Sequence, residues 1–314
     1  MPSLIAITGA TGFVGHAVSH ALIAAGYSVQ ALVRNKAKAA ALEVSGVKLI
    51  IGGLENATSL RHLVKGVDAV IHCAGNVRGA RAEHFNLVNI DGTAKLFEAI
   101  QETQAECKVM VFSSLAAREP ELSYYAASKA GMESWLFRHA DGIEWMAIRP
   151  PAIYGPGDKE LLPLFKLMAK GFAPVPGNIH GRFSMIFIDD LVSAVMAWLK
   201  KTEPVKGVFA IEDGHQGYDW QEVANLVGMM TNQSVRLLPV PGVLLDGFAV
   251  LNRSASRLFG YLPMLTPEKL RELRHSDWVC TNDKISEALN WQPEVQLLEG
   301  LQATSGWLPA SGSH

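Results

Sequence analysis

The sequence predicts an α/β fold: a doubly wound parallel sheet with helices on both faces, followed by a smaller, discontinuous C-terminal part. Three observations carry this. Short apolar runs alternate with helical patterns over the first 150 residues. A glycine-rich turn stands between the first run and the first helical pattern. Beyond Arg149 the alternation yields to clusters of Pro and Gly, at 150–157 and again at 174–177.

The elements follow in order. Leu4 to Thr8 is short, apolar and β-branched, hence a buried strand. His16 to Ala25 has helical spacing and stops at Gly26. Ser28 to Val33, Val47 to Ile51, Ala69 to Cys73, Lys108 to Ser113 and Glu144 to Arg149 read as further strands. Between them Lys36 to Leu42, Thr58 to Val64, Asn86 to Glu102 and Tyr125 to His139 suit helices. Such βαβ units impose right-handed crossovers and a parallel sheet. Ser184 to Ile188 and Val208 to Ile211 suit strands; Leu191 to Lys200 and Trp220 to Met230 suit helices. The apolar stretch from Val243 to Leu265 reads as a core helix or as a greasy lid. Residues 1–155 with about 184–212 are expected to form one domain, and about 156–183 with 213–314 a smaller substrate-binding one.

Composition narrows the function classes. Hydrophobic residues make up 49% and charged ones 18%, which suits a packed chain and not a disordered one. A net charge of -2 speaks against a strongly basic nucleic-acid surface. Cys73, Cys107 and Cys280 have neither metal-ligand nor disulfide spacing, so no metal is expected. No apolar run reaches the roughly 18 residues of an integral membrane segment. The N-terminus lacks a secretory pattern, so a cytoplasmic protein is expected.

Thr8 to Gly15 reads TGATGFVG and opens the first helix straight after the first strand. Gly9 permits a tight turn, Gly12 lets backbone approach a pyrophosphate, and Gly15 allows close helix–sheet packing. The free N–H groups around Thr11, Phe13 and Val14 then face the anion. The plainer alternative is a structural glycine turn. The second strand ends at Arg34, with Lys36 and Lys38 following and no acidic residue between Gly26 and Leu42. A guanidinium suits the 2′-phosphate of NADP, where a carboxylate would suit the ribose of NAD, so NADP is favoured over NAD. Solvated basic residues at a helix start are the alternative.

Tyr125-Ala126-Ala127-Ser128-Lys129 places a phenol and an ammonium one helical turn apart. A nearby ammonium should lower the phenol's pKa and ready it to exchange a proton with a substrate oxygen. Together, the Gly-x-x-Gly-x-x-Gly loop and this Tyr-x-x-x-Lys resemble the extended short-chain dehydrogenase/reductase family, in its epimerase/dehydratase-like branch, over nearly the whole chain.

The resemblance implies a Rossmann domain and an NADP(H)-dependent oxidoreductase, or an epimerase or dehydratase using its cofactor transiently. Tyr125 is then the acid/base, and Lys129 its electrostatic partner and ribose ligand. Ser114 is the catalytic hydroxyl, with Ser113 nearer the cofactor, although many relatives place the hydroxyl where Leu115 stands. The turn Ala74-Gly75 lies against the cofactor, and Pro150 and Ile153 border the nicotinamide. Asn89 supports Lys129 through water, unless it is an ordinary helix-start asparagine. His72 reads as a strand histidine rather than a catalyst. Relatives often carry Gly-Asp-Leu after the third strand, with the Asp near adenine. Gly52-Gly53-Leu54 lacks it, leaving backbone or Asn56 for that contact. Asp189 and Asp190 read as caps of the following helix. Expected partners are a small-molecule substrate, either a nucleotide sugar or an apolar carbonyl or alcohol compound, and a second copy in a homodimer. His180, Arg182, Arg253, Arg257 and Arg274 are candidates for a nucleotide sugar's second phosphate. The rival class is a non-catalytic dinucleotide-binding sensor or assembly subunit.

Overall fold

The computed structural model describes residues 4–259, 263, 266–304 and 306–308. The chain runs β1 (Leu4–Thr8), α1 (Phe13–Ala24), β2 (Ser28–Val33), α2 (Ala40–Val44), β3 (Lys48–Ile51), α3 (Ala57–Val64), β4 (Ala69–His72), α4 (Ala82–Asn89), α5 (Asp91–Glu102), β5 (Lys108–Phe112), α6 (Tyr124–His139) and β6 (Trp145–Arg149). It continues through β7 (Ala152–Tyr154), α7 (Leu162–Met168), β8 (Phe172–Val175), β9 (Arg182–Phe183), β10 (Met185–Phe187), α8 (Ile188–Lys200) and β11 (Gly207–Ala210). Last come β12 (Tyr218–Asp219), α9 (Trp220–Thr231), β13 (Arg236–Pro239), α10 (Gly242–Phe259), α11 (Pro267–Arg274), β14 (Asp277–Trp278), α12 (Asp283–Leu289) and α13 (Leu297–Ala303).

Seven parallel strands form the main sheet in the order β3-β2-β1-β4-β5-β6-β11. Residue alternation along each strand feeds two cores. Ile5, Ile7, Met110 and Phe112 pack with Val18 and Leu22 of α1 and Leu191 and Val195 of α8. Ala6, Val70, Val109 and Val111 pack on the other face with Leu60 of α3, Phe97 of α5 and Met132 of α6. Strand order reverses between β1 and β4. There the connections diverge to opposite faces and open a crevice above the strands' carboxyl ends.

Several elements differ from the sequence reading. The helical pattern from Asn86 to Glu102 is two helices, α4 and α5, joined at Ile90. Helix α1 starts at Phe13, since the glycine turn itself supplies the first helical residues. The expected strand 184–188 is the shorter β10, which Ser184 separates from β9. Strand β9 pairs with β12 and β14, whereas β10 pairs with β7. Asp189 and Asp190 do not cap α8, which has no side-chain cap. The buried Asp190 carboxylate instead accepts the Glu294 and Val295 N–H groups, pinning the C-terminal segment to the sheet domain. Within the apolar stretch from Val243 to Leu265, α10 turns Ala249 inward while Val243, Leu244, Phe248, Val250 and Leu251 stay exposed. Residues 260–262, 264 and 265 of that stretch lie outside the described residues.

Candidate active site

The glycine loop and the turn after β4 meet at the switch point. Gly9 has φ +72, and a Cβ there would stand 2.6 Å from the Ala74 nitrogen, so only glycine lets the two turns touch. Gly15 packs on Ala10 and Gly9 in the same way, holding α1 close to β1. At Gly12 an added Cβ would meet nothing nearer than its own loop's Gly9 oxygen at 3.3 Å, so the outer side of the loop is open. Helix α1 has neither a side-chain cap nor an acidic residue in its first turn. Its initial amide N–H groups therefore need an outside acceptor, and a pyrophosphate fits that need.

Beneath the loop a polar chain ties three elements together. Thr8 Oγ1 lies 2.6 Å from His72 Nδ1, and His72 Nε2 lies 3.0 Å from Thr93 Oγ1, which in turn donates to the Asn89 carbonyl at 2.8 Å. Burial, aided by the Lys129 charge, pushes the His72 pKa down to about 3. The imidazole is a neutral strut, as expected of a strand histidine. Cys73 is pushed up by burial and stays a thiol.

Helix α6 begins with Ser123, whose Oγ accepts the Ala126 N–H at 3.0 Å. It presents Tyr125 and Lys129 towards the carboxyl ends of β4 and β5. Lys129 is almost fully buried and donates to the Phe112 carbonyl at 2.7 Å. The Tyr125 hydroxyl lies near Ser114, whose Oγ accepts the Ala116 N–H at 3.2 Å. The hydroxyl, phenol and ammonium that the sequence singled out thus converge on one side of the crevice. Ser113 does not join them. Its hydroxyl donates to Glu133 at 2.5 Å beneath α6, which leaves only its backbone for a cofactor.

The electrostatics differ from expectation. The Tyr125 pKa is pushed up to about 12, first by burial and then by the Glu272 charge, and only partly offset by the nearby Ser114 hydroxyl. Lys129 is pushed down to about 8, because desolvation outweighs the pull of Glu133 and Cys73. An ammonium engaged by a carbonyl and surrounded by protein does not win over the phenol's own desolvation. In the unliganded crevice Tyr125 is a protonated acid.

Asn89 is more than a helix-start residue. Its Oδ1 accepts the Asn76 N–H at 2.7 Å, and its Nδ2 donates to the Asn76 carbonyl at 3.1 Å and to Ser128 Oγ at 2.8 Å. The break at Ile90 sets this side chain beside Lys129. Gly75 leaves room for both, since a Cβ there would come within 3.1 Å of the Lys129 Nζ and 3.3 Å of the Asn89 Oδ1. On the other wall Pro150 accepts the Leu115 N–H at 2.9 Å, and Ile153 is held in the β7–β10 pair.

At the adenine end Arg34 is exposed beyond β2, while Lys36 pairs with Glu43 at 3.0 Å. Asn56 caps α3 through the Ser59 N–H at 3.0 Å and so is committed to the helix. Sequence reasoning missed Glu55: its carboxylate folds back over Gly53 and fills the space a side chain at 53 would take. It also missed Glu133, which accepts Arg149 Nε at 2.8 Å and Nη2 at 2.5 Å as well as Ser113. Ion pairs between residues 16 apart leave no local pattern to read.

On the substrate side the chain returns to cover Tyr125. Val77, Gly79 and Phe85 face Pro263, Thr266, Glu268 and Lys269 around a small pocket over Tyr125. Lys269 Nζ lies 5.6 Å from the Tyr125 ring centroid and pairs with Glu272, which accepts Ser123 Oγ at 2.8 Å. The phosphate candidates do not converge here. Arg182 binds the Gln216 and Gly217 carbonyls, and Arg274 binds Asp246. The side chains of Arg253 and Arg257 lie outside what is described.

Residues 5–211 match the family model of the NAD dependent epimerase/dehydratase family. Over 98% of this chain and 95% of the relative, the sequence is 35% identical to a ceramide reductase of Caulobacter vibrioides. It is 26% identical to a UDP-glucose 4-epimerase of Vibrio cholerae, over 97% and 95%. The fold matches the UDP-glucuronic acid 4-epimerase of Bacillus cereus, solved with UDP-glucuronic acid and NAD, at a TM-score of 0.75 and 20% identity over 96% and 97%.

Proposed function

The chain belongs to the NAD dependent epimerase/dehydratase family, an extended short-chain dehydrogenase/reductase enzyme with a Rossmann sheet, and from that premise we propose that it is an NADPH-dependent reductase acting on the ketone of a long-chain lipid. One arrangement supports reduction: the Tyr125 phenol stands near Ser114 and the buried Lys129 at the floor of the pocket, and burial raises its pKa and so favours the protonated form. That is the state required to protonate a carbonyl oxygen.

The α1 amides around Thr11, Phe13 and Val14 would hold the pyrophosphate, Arg34 the 2′-phosphate and Lys129 the ribose. Ala74, Gly75, Pro150 and Ile153 would border the nicotinamide, and Glu55 would face the adenine in place of the missing Asp. When bound there, the nicotinamide would supply the hydride for the carbonyl carbon. Tyr125 gives its hydroxyl proton to the carbonyl oxygen as that oxygen gains the electron pair. Ser114 hydrogen-bonds the same oxygen and holds it beside the phenol. Lys129 stabilises the phenolate left behind.

Two features support a lipid over a nucleotide sugar. The pocket over Tyr125 is apolar on the Val77 and Phe85 wall and carries Glu268 and Lys269 on the other, with Lys269 already paired to Glu272. Of the described arginine candidates for a second phosphate, Arg182 and Arg274 are engaged elsewhere. The ceramide reductase likeness points the same way. The reading includes a homodimer through α5 and α6, and work in a reducing cytoplasm, in keeping with three free cysteines. Loss of NADPH absorbance with a 3-ketosphingoid or oxidised-ceramide substrate tests it. Tyr125→Phe should lower kcat at least about a hundredfold, the lower range for a general acid, with the NADPH Kd unchanged. Undiminished turnover would show that another group supplies the proton.

A further inference from the structure

We propose that helix α10 is a bilayer-docking element that seats the enzyme on an anionic membrane surface, next to the entrance of the Tyr125 pocket. This goes beyond the lipid-ketone reading and rests on it only for the purpose the docking serves.

The helix is built the wrong way round for water. Ala249 is fully buried against the protein and Leu245 is partly so. The outward side carries Val243, Leu244, Phe248, Val250 and Leu251, with Val243 83%, Phe248 64% and Leu251 67% exposed. From 243 to 251 the sole charge is Asp246, and Arg274 Nη1 holds it at 3.0 Å. Arg274 also donates to the Gly242 carbonyl at 2.9 Å, so one side chain clamps the start of the helix. An ordinary surface helix turns its polar side to solvent. On the β8–β13 ribbon that leads into α10, Phe172 and Leu238 are also exposed and Arg236 stands opposite Phe172. Several large apolar side chains exposed together on one helix mark a contact site.

Charge selects the occupant. Residues 236–274 hold six Lys or Arg against three Asp or Glu, while the whole chain is at -2. Two of those carboxylates, Asp246 and Glu272, are bound within the same segment. A second copy meeting this face about a twofold axis would oppose two positive segments. An anionic leaflet attracts them, and its acyl boundary accepts the apolar side chains. Among the described residues no helix is long and apolar enough to cross a membrane, so the contact is peripheral. Beyond α10 the chain runs to Pro263, Thr266, Glu268 and Lys269, which line the pocket over Tyr125. Docking would thus set a lipid's route beside the acid that acts on it.

Vesicle flotation tests this with the full chain. Wild type should float with phosphatidylcholine vesicles containing about one-third phosphatidylglycerol, and much less with phosphatidylcholine alone or in high salt. The triple variant Leu244→Gln, Phe248→Gln, Leu251→Gln should float at least about tenfold less, with NADPH binding and turnover of a short-chain ketone retained. Wild type left at the bottom of the gradient would overturn the proposal. So would a folded triple variant that floats like wild type, or one whose mass in light scattering falls below that of wild type, which would show that a second copy covers the face. Should the triple variant misfold, Phe248→Trp replaces it: brominated phosphatidylglycerol should quench the added fluorescence, and no added quenching would overturn docking. Flotation needs no turnover. A protein that floats yet reduces no lipid ketone refutes the substrate reading and not the docking, and one that reduces it without floating does the reverse.

Discussion

Glu133 lies under the catalytic helix and touches neither substrate nor cofactor, yet it joins α6 to the ends of β5 and β6. Its carboxylate is nearly buried and accepts two hydrogen bonds from Arg149 and one from Ser113. Glu133→Gln keeps one acceptor oxygen and turns an NH2 group towards donors. The oxygen that remains keeps its donors, so the change amounts to one charge-assisted hydrogen bond lost outright, at roughly 1.5–3 kcal/mol. The Arg149 side chain is 27% exposed and can rehydrate in part, which favours about 2 kcal/mol. Glu133→Ala leaves the guanidinium and the serine hydroxyl without the acceptor, at about 3–4 kcal/mol. Urea unfolding with tryptophan fluorescence would measure both, and the Gln variant should also melt about 3 °C lower. A Gln variant within about 0.5 kcal/mol of wild type would refute the reasoning, because the carboxylate would then be solvated and α6 held by packing alone.

The same carboxylate supports the Lys129 charge, which leads to a pH prediction. Lys129 is protonated below about 8 and neutral above it, so reduction should hold to neutral pH and fall as pH rises through about 8. Because Glu133 raises that pKa, Glu133→Gln should move the falling limb to lower pH; a limb that stays in place would remove Lys129 from the titration. Fluorescence titration should show tighter NADPH than NADH binding, and Arg34→Ala should abolish the difference by weakening NADPH about tenfold or more, the scale of one charge-assisted phosphate contact. Equal affinities in wild type would show that Arg34 does not read the 2′-phosphate.

Much of the site was legible because its signals are local. Gly9, Gly12 and Gly15 sit in one turn, and Tyr125 and Lys129 on one helix face, so spacing alone reports their chemistry. Ser114 could be singled out for the same reason, two residues past the end of β5. The commitment of the neighbouring Ser113 hydroxyl to Glu133 was not legible, because alternation along an extended chain turns adjacent hydroxyls to opposite sides, and only the position of Glu133 shows which side is which. Asp190 misled similarly. A carboxylate at a helix start suits a cap, yet the amides it binds lie more than 100 residues further on.

The parallel doubly wound sheet, the glycine turn between β1 and α1 and the placing of Tyr125 and Lys129 on one helix follow from the amino acids themselves, since period-two and period-3.6 patterns and short spacings are properties of the chain. The protonation of Tyr125, the folding of Glu55 over Gly53, the buried Glu133–Arg149 pair and the outward apolar side of α10 were settled only by tertiary structure. Each depends on which distant groups exclude water from a given atom, and desolvation is a property of the packed assembly rather than of any stretch of sequence.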